Sequence, residues 1–263
     1  MCIILAAWRA DPEFPLVVAA NRDEFFARPT RSAGFWPEAP YLLAGCDLSA
    51  GGSWLGITRN GRFAALTNFR DPAREKDNVV SRGKLVSQFL QGNLEPIDYL
   101  DEIRAMASEY NGFNLLVADR QTMACYNNIE NRTDSLIPGI HGLSNHALNT
   151  PWPKVTAATT ALNGSLGRLP DTTQLFSFLR DETIADDESL PRTGVPLETE
   201  RFLSSIFVRA PTSMAYGTRC STVLVIARDG RIIFDEQEWI IDATVGRRHR
   251  FRFTLQEHGR SAQ

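Results

Sequence analysis

The stretch MCIILAAWRADPEFPLVVAANRDE, residues 1–24, decides how the rest of the chain is read. Cys2 to Arg9 reads as a buried strand that Asp11-Pro12 breaks. Pro15 to Ala20 reads as a second strand, its hairpin partner, and Asn21 to Phe26 is expected to leave the sheet. With Met1 removed, Cys2 becomes the N-terminal residue, and its thiol and α-amine share one Cα. A free α-amine titrates near pH ~8 and a thiol near ~8.5, so each exchanges a proton close to neutrality. That is the N-terminal form of a nucleophile paired with its base. Taken alone, however, Cys2 is better read as a small apolar residue of a buried strand.

Working outward, Arg28 to Pro40 has the composition of an irregular surface excursion, and Leu42 to Cys46 restores order. Ser53 to Thr58 and Phe63 to Asn68 flank Asn60-Gly61, the strongest short hairpin signal in the chain. Arg70 to Asn78 is loop-like. Ser81 then reads as the N-cap of a helix carrying Leu85, Phe89 and Leu90 and ending at Gly92. Pro96 to Tyr110 reads as a second helix. Strands follow at Phe113–Ala118, Met123–Tyr126 and Ile137–Leu143.

A second helical pair is expected at Trp152–Leu162 and Thr173–Leu179. Asp181 to Glu198 reads as an exposed acidic loop and Glu200 to Phe207 as a short helical turn. Ser221–Ala227 and Arg231–Phe234 flank Asp229-Gly230, another hairpin signal, and Arg250–Leu255 reads as an edge strand. Antiparallel strands interleaved with two helical pairs imply an α+β layered sheet with helices on its outer faces. The whole chain, 1–263, reads as one domain whose last few residues are disordered. Gly51-Gly52 does not lead into a helix, so the phosphate-loop and dinucleotide readings fail.

With 263 residues, of which 43% are hydrophobic, the chain can bury a substantial core. A net charge of -3 gives no electrostatic case for nucleic acid. Lysine occurs only at Lys76, Lys84 and Lys154, arginine supplying the remaining cations. The four cysteines are scattered without a C-x-x-C pair, so no metal site is expected and a reducing, cytoplasmic setting fits. No apolar run reaches membrane-spanning length, and Ile3 to Trp8 is too short for a signal-peptide core.

Four polar residues sit at strand ends: Asp23, Asn68, Asn145 and Arg219. An amide hydrolase built on Cys2 needs these residue types. Asp23 suits the α-amine, an Asn side chain stabilises an oxyanion, and a guanidinium favours thiolate or holds a substrate carboxylate. Each has a structural alternative in turns, caps or surface charge. Jointly, and with Cys2 at the terminus, the functional reading is preferred.

Asn21-Arg22-Asp23-Glu24 resembles the signature of the NRDE family, also called the Transport and Golgi organisation family. Leu66 to Pro72, Ser81-Arg82-Gly83, Gly112 to Leu115 and Gly142 to Asn145 are similar to further blocks of it. That family in turn resembles the N-terminal nucleophile (Ntn) hydrolases of the choloylglycine hydrolase and penicillin V acylase group. The resemblance implies a four-layer αββα sandwich of antiparallel sheets. It implies Cys2, Asp23, Asn68, Asn145 and Arg219 as catalytic residues, with Asn21, Arg22 and His146 binding substrate. The implied activity is hydrolysis or acyl transfer at non-peptide C–N bonds, with no required cofactor. The alternative is a non-catalytic carrier of haem or of lipid and acyl-CoA, with Cys2 or His146 as a haem ligand. The ligand is accordingly a small amide, acyl or porphyrin molecule. The group carries Arg immediately before its Asn-x-Asp; here that position is Ala20, and Arg22 is the nearby charge.

Overall fold

The computed structural model describes residues 2–77 and 79–256, so Met1 and the expected disorder of the last residues lie outside the described residues. The chain opens with β1 (Cys2–Trp8) and β2 (Leu16–Phe25), paired antiparallel with Ile4 against Ala20 and Cys2 against Arg22. Alternation along β1 explains why it is buried on both sides. Ile3, Leu5 and Ala7 face one apolar cluster, and Ile4, Ala6 and Trp8 face another.

Next come β3 (Thr30–Trp36), β4 (Ala39–Asp47), β5 (Leu55–Thr58) and β6 (Phe63–Asn68), then helices α1 (Gly83–Gln91) and α2 (Pro96–Ala105). Strands β7 (Phe113–Ala118), β8 (Met123–Asn127), β9 (Arg132–Ser135) and β10 (Gly139–Leu143) follow. Helices α3 (Pro153–Ser165), α4 (Thr173–Phe178) and α5 (Leu197–Leu203) precede β11 (Tyr216–Ile226), β12 (Arg231–Ile240) and β13 (Thr244–Thr254).

These strands form two antiparallel sheets. A six-stranded one runs β10-β1-β2-β11-β12-β13, and a seven-stranded one runs β3 to β9 in sequence order. Their inner faces share one cluster, in which Ile4, Val18 and Leu224 of the first sheet meet Leu43, Ile57, Phe63 and Leu116 of the second. Leu85, Phe89 and Leu90 of α1 and Leu100 and Ile103 of α2 cover the outside of the second sheet. Ala158 and Leu162 of α3 and Leu175 of α4 cover the outside of the first. The α+β, four-layer αββα sandwich of flanked antiparallel sheets is therefore the architecture found.

Several local expectations are corrected. Asn21 to Phe25 does not leave the sheet, because β11 pairs with it from Ser221 opposite Asn21 to Tyr216 opposite Phe25. Residues 30–47 form a hairpin rather than an irregular excursion. Pro40 falls where the β3–β4 register shifts between Phe35 and Trp36, a position that tolerates a residue without an N–H. Ser81 does not cap α1; Arg82 occupies the N-cap, without a side-chain cap bond. The polar strand β9 escaped the sequence reading because it is an edge with little buried surface.

Asn60-Gly61 turns as expected, with Gly61 at φ +91. A Cβ there would also approach Leu255 Cδ2 to 3.0 Å. Gly61→Val is therefore expected to destabilise the fold by about 1–2 kcal/mol. Urea denaturation should show a lower midpoint with an unchanged slope.

Candidate functional site

The first sheet's register builds the site. Cys2 on β1 lies opposite Arg22 on β2, and Arg22 lies opposite Cys220 on β11. Directly opposed residues share a face, so this row continues the inner face of Ile4 and Ala20. Where the two sheets diverge, a cavity of about 350 Å³ opens, lined by Cys2, Arg22, Asp23, Trp54, Asn68 and Arg82 among others. That volume falls in the range of small-molecule sites.

Cys2 is half-buried. Burial pushes its thiol up, Asp23 adds to that rise, and a hydrogen bond with the Asp23 backbone opposes it. Asp23 itself is buried, its Oδ1 accepting a 2.7 Å hydrogen bond from Thr218 Oγ1. Burial raises its carboxyl, against the pull of Lys154, Thr218 and Arg70.

Asn68 ends β6 at the cavity wall. Asn145, fully buried, donates from Nδ2 to the Asn68 backbone oxygen at 3.1 Å and to Asn68 Oδ1 at 3.0 Å. Ser144 Oγ donates to Asn145 Oδ1 at 3.3 Å, which fixes the amide's orientation. The oxygen end of Asn68 is thereby occupied. Its amide nitrogen makes no hydrogen bond among the described residues and stands as a donor at the cavity.

Behind the strand ends lies a buried charge cluster. Arg70 Nη1 and Glu200 Oε2 form an ion pair at 2.6 Å with side chains only 4% and 3% exposed. Lys154, in the first turn of α3, donates from Nζ to the Leu203 carbonyl at 2.9 Å. Burial, then Arg70, lowers its ammonium to about 8, while Asp23 and Cys2 oppose the shift. A lysine buried at a helix N-terminus opposes both solvation and the helix dipole. Sequence reasoning passed over Arg70, Lys154, Glu200 and Thr218. The one available signal was Lys154, a rare lysine in an arginine-rich chain.

The structure thus gathers Cys2, Arg22, Asp23 and Asn68 at one cavity, with Asn145 bonded behind it. The other three sequence candidates lie elsewhere. Asn21 faces away from the cavity, donating to the Leu179 and Ile206 carbonyls at 2.8 and 2.9 Å and accepting from Ser221 Oγ at 2.6 Å. His146 stacks between Phe69 and Trp152, ring centroids 4.8 and 5.8 Å away, with its Nδ1 3.1 Å from Thr150 Oγ1. Arg219 sits at a register shift between Thr218 and Cys220 and lines a second cavity beyond Arg22.

Of the two expected haem ligands, only Cys2 lies at the cavity. Iron needs an axial His, Cys, Met or Tyr in a suitable pocket. His146 is turned aside, burial favours a protonated Cys2, and charged groups such as Arg22, Glu24, Arg28, Asp47 and Arg82 share the cavity wall with apolar ones such as Trp54, Leu66 and Val80. Among the described residues, no three His, Cys, Asp or Glu side chains gather as a metal site, and no helix is long and apolar enough to cross a membrane.

A profile of the family described as Transport and Golgi organisation 2 matches residues 1–240. The Transport and Golgi organization protein 2 homolog of Bos taurus is 35% identical over 268 residues, 91% of this chain and 94% of that protein. The chain belongs to the Transport and Golgi organisation 2 family. The Mus musculus homolog is 34% identical over 285 residues, 97% of this chain and 100% of that protein. Among solved structures, a mutant conjugated bile acid hydrolase from Clostridium perfringens aligns over 97% of this chain and 92% of its own, at 11% identity and a TM-score of 0.45. Within the Asn21–Glu24 block that carries the family resemblance, Arg22, Asp23 and Glu24 line the cavity and Asn21 anchors the packing behind it.

Two outcomes follow from this geometry. Asn21→Ala strands two buried carbonyls and the Ser221 hydroxyl, so it is expected to lower unfolding free energy by about 3 kcal/mol in denaturant titrations. Lys154 has a folded value of about 8, below its ordinary 10.5, so between these values the unfolded chain binds the additional proton. Stability from this group therefore rises as pH rises through that window. In Lys154→Met, unfolding free energy measured from pH 7.5 to 10.5 should lose that rise.

Proposed function

We propose that this protein hydrolyses non-peptide amides, or transfers their acyl group, through Cys2. The observation that carries the reading is the meeting at one cavity of Cys2, Asp23 and an Asn68 amide donor locked by Asn145. In the chain lacking Met1, the Cys2 α-amine takes the thiol proton as sulfur bonds to the substrate carbonyl carbon. The carbonyl π electrons move to oxygen, where Asn68 Nδ2 donates a hydrogen bond. Collapse of this intermediate breaks the C–N bond, and the new ammonium returns its proton to the leaving nitrogen. Water, or an acceptor nucleophile, then attacks the thioester with the amine again as base, and the C–S bond breaks as the ammonium returns its proton to the departing sulfur.

The raised thiol is consistent with this order of events. Burial keeps Cys2 protonated until attack, so the proton moves within one residue rather than from a standing thiolate. Asp23, held by Thr218, stabilises the ammonium form of the amine. The Asn68 donor acts where negative charge develops, a contribution of roughly 3 kcal/mol for one such group.

Intact mass before and after treatment with a β-lactone probe tests the reading. Loss of Met1 and a single adduct, absent from Cys2→Ala, is the expected result. Asn68→Ala should slow turnover of any amide found by screening by roughly 10²–10³-fold. Retained Met1 without an adduct would sink the mechanism, and ligand bound without turnover would move the cavity to carriage of an acyl or porphyrin molecule.

A further inference from the structure

Arg219 is one of the three sequence candidates that lie away from the Cys2 cavity. It opens instead onto a neighbouring cavity of about 330 Å³, which it shares with Arg22, Trp54, Cys220, Glu236 and Trp239. Arg22 and Trp54 also line the Cys2 cavity, so they form a common wall between the two chambers. The Arg22 guanidinium lies over the Trp54 ring, 4.3 Å from its centroid. This packing is specific to a glycine opposite: a Cβ on Gly45 would fall 2.1 Å from Trp54 Cη2.

The two guanidinium groups are poorly compensated. Arg22 is only 6% exposed, yet its contacts are a 3.3 Å hydrogen bond to Thr30 Oγ1 and a 3.9 Å approach to Glu24. Arg219 commits Nη1 to the Phe25 and Arg28 carbonyls at 2.9 and 3.1 Å, and among the described residues its other nitrogens make no hydrogen bond. Burial and then the nearby Arg22 charge lower Arg219, the sign of two like charges held close.

The acidic groups of this chamber are already engaged. Glu236 accepts from the Ala33 amide at 2.7 Å, and the Cys220 thiol holds its carboxyl down against the rise that burial imposes. Glu238 is hydrogen-bonded to Ser32 and lies 2.7 Å from His249 Nε2. Two adjacent guanidiniums with spare donors, facing a cavity whose carboxylates are occupied, match an oxyanion.

We infer that the second chamber binds an anionic group, a carboxylate or phosphate, carried by a substrate whose scissile carbonyl reaches Cys2 across the Arg22–Trp54 wall. The anion site stands on its own geometry, and its link to a scissile bond rests on the hydrolase reading above. The substrate class is then an amide bearing an anionic end rather than a wholly neutral one.

The test uses Cys2→Ala protein, which needs no chemistry, and the fluorescence of Trp54 and Trp239 in the chamber wall. Glutarate, inorganic phosphate and the neutral glutaramide are titrated separately. Saturable change with glutarate or phosphate, and none with glutaramide, is expected, and the anion that binds tighter identifies the group. Adding Arg219→Gln should weaken that binding by about tenfold or more, whereas Arg219→Lys should weaken it less. Thermal unfolding of each variant confirms that it is folded. No saturable anion response, equal binding of glutaramide, or undiminished binding in a folded Arg219→Gln protein would overturn the inference. An anion response together with no β-lactone adduct on the Cys2-intact protein would leave this site standing and remove the hydrolase reading alone.

Discussion

The pairing of β2 with β11 is the constraint on which the site depends. It holds Asn21 to Phe25 in the sheet beyond the point where their polarity suggests a turn. Alternation then sorts the segment: Arg22 faces inward, directly opposite Cys2, while Asn21 faces the other way. Had the segment left the sheet, Asp23 would lose Thr218 and Arg22 would lose its register with Cys2. The shift between Thr218 and Cys220 belongs to the same ladder, and it directs Arg219 into the second chamber.

The buried charges behind these strands are weak evidence for stability, since desolvation offsets much of their mutual attraction. They are better understood as electrostatic positioning. Arg70 bonds Glu200 on one side and lies 3.5 Å from Asn145 Oδ1 on the other, so it helps orient the amide that orients Asn68. Lys154 approaches Asp23 and Arg70 from α3, against the preference of a helix N-terminus. A chain that tolerates this arrangement departs from local rules where a site is built, as functional positions commonly do.

Much of the fold was legible because the signals were local. Asn60-Gly61 and Asp229-Gly230 name their hairpins, and Leu85, Phe89 and Leu90 mark an apolar helical stripe. The errors share a cause in long-range partners. Pro37 and Pro40 read as loop residues because no local pattern reveals the β3–β4 register shift that accommodates Pro40. The packing bonds of Asn21 are equally hidden, since those to Leu179 and Ile206 cross more than 150 positions of chain. Asp23 and Asn68 stand out in the sequence as polar residues following apolar runs and Cys2 as the second residue of the chain, and the structure brings all three to one cavity. Arg70 and Glu200 did not stand out, because a buried ion pair looks in sequence like two surface charges.

Ala20 shows why position along a strand matters more than identity within a motif. A charge at that position would point into the inner core, where Ala20 now packs among Ile4 and Val18. Arg22 lies two residues on, on the same face, and its guanidinium reaches both chambers by stacking across the sheet gap on Trp54. Arg22 lies opposite Cys2 and shares the second cavity with Arg219, so one side chain joins the two cavities.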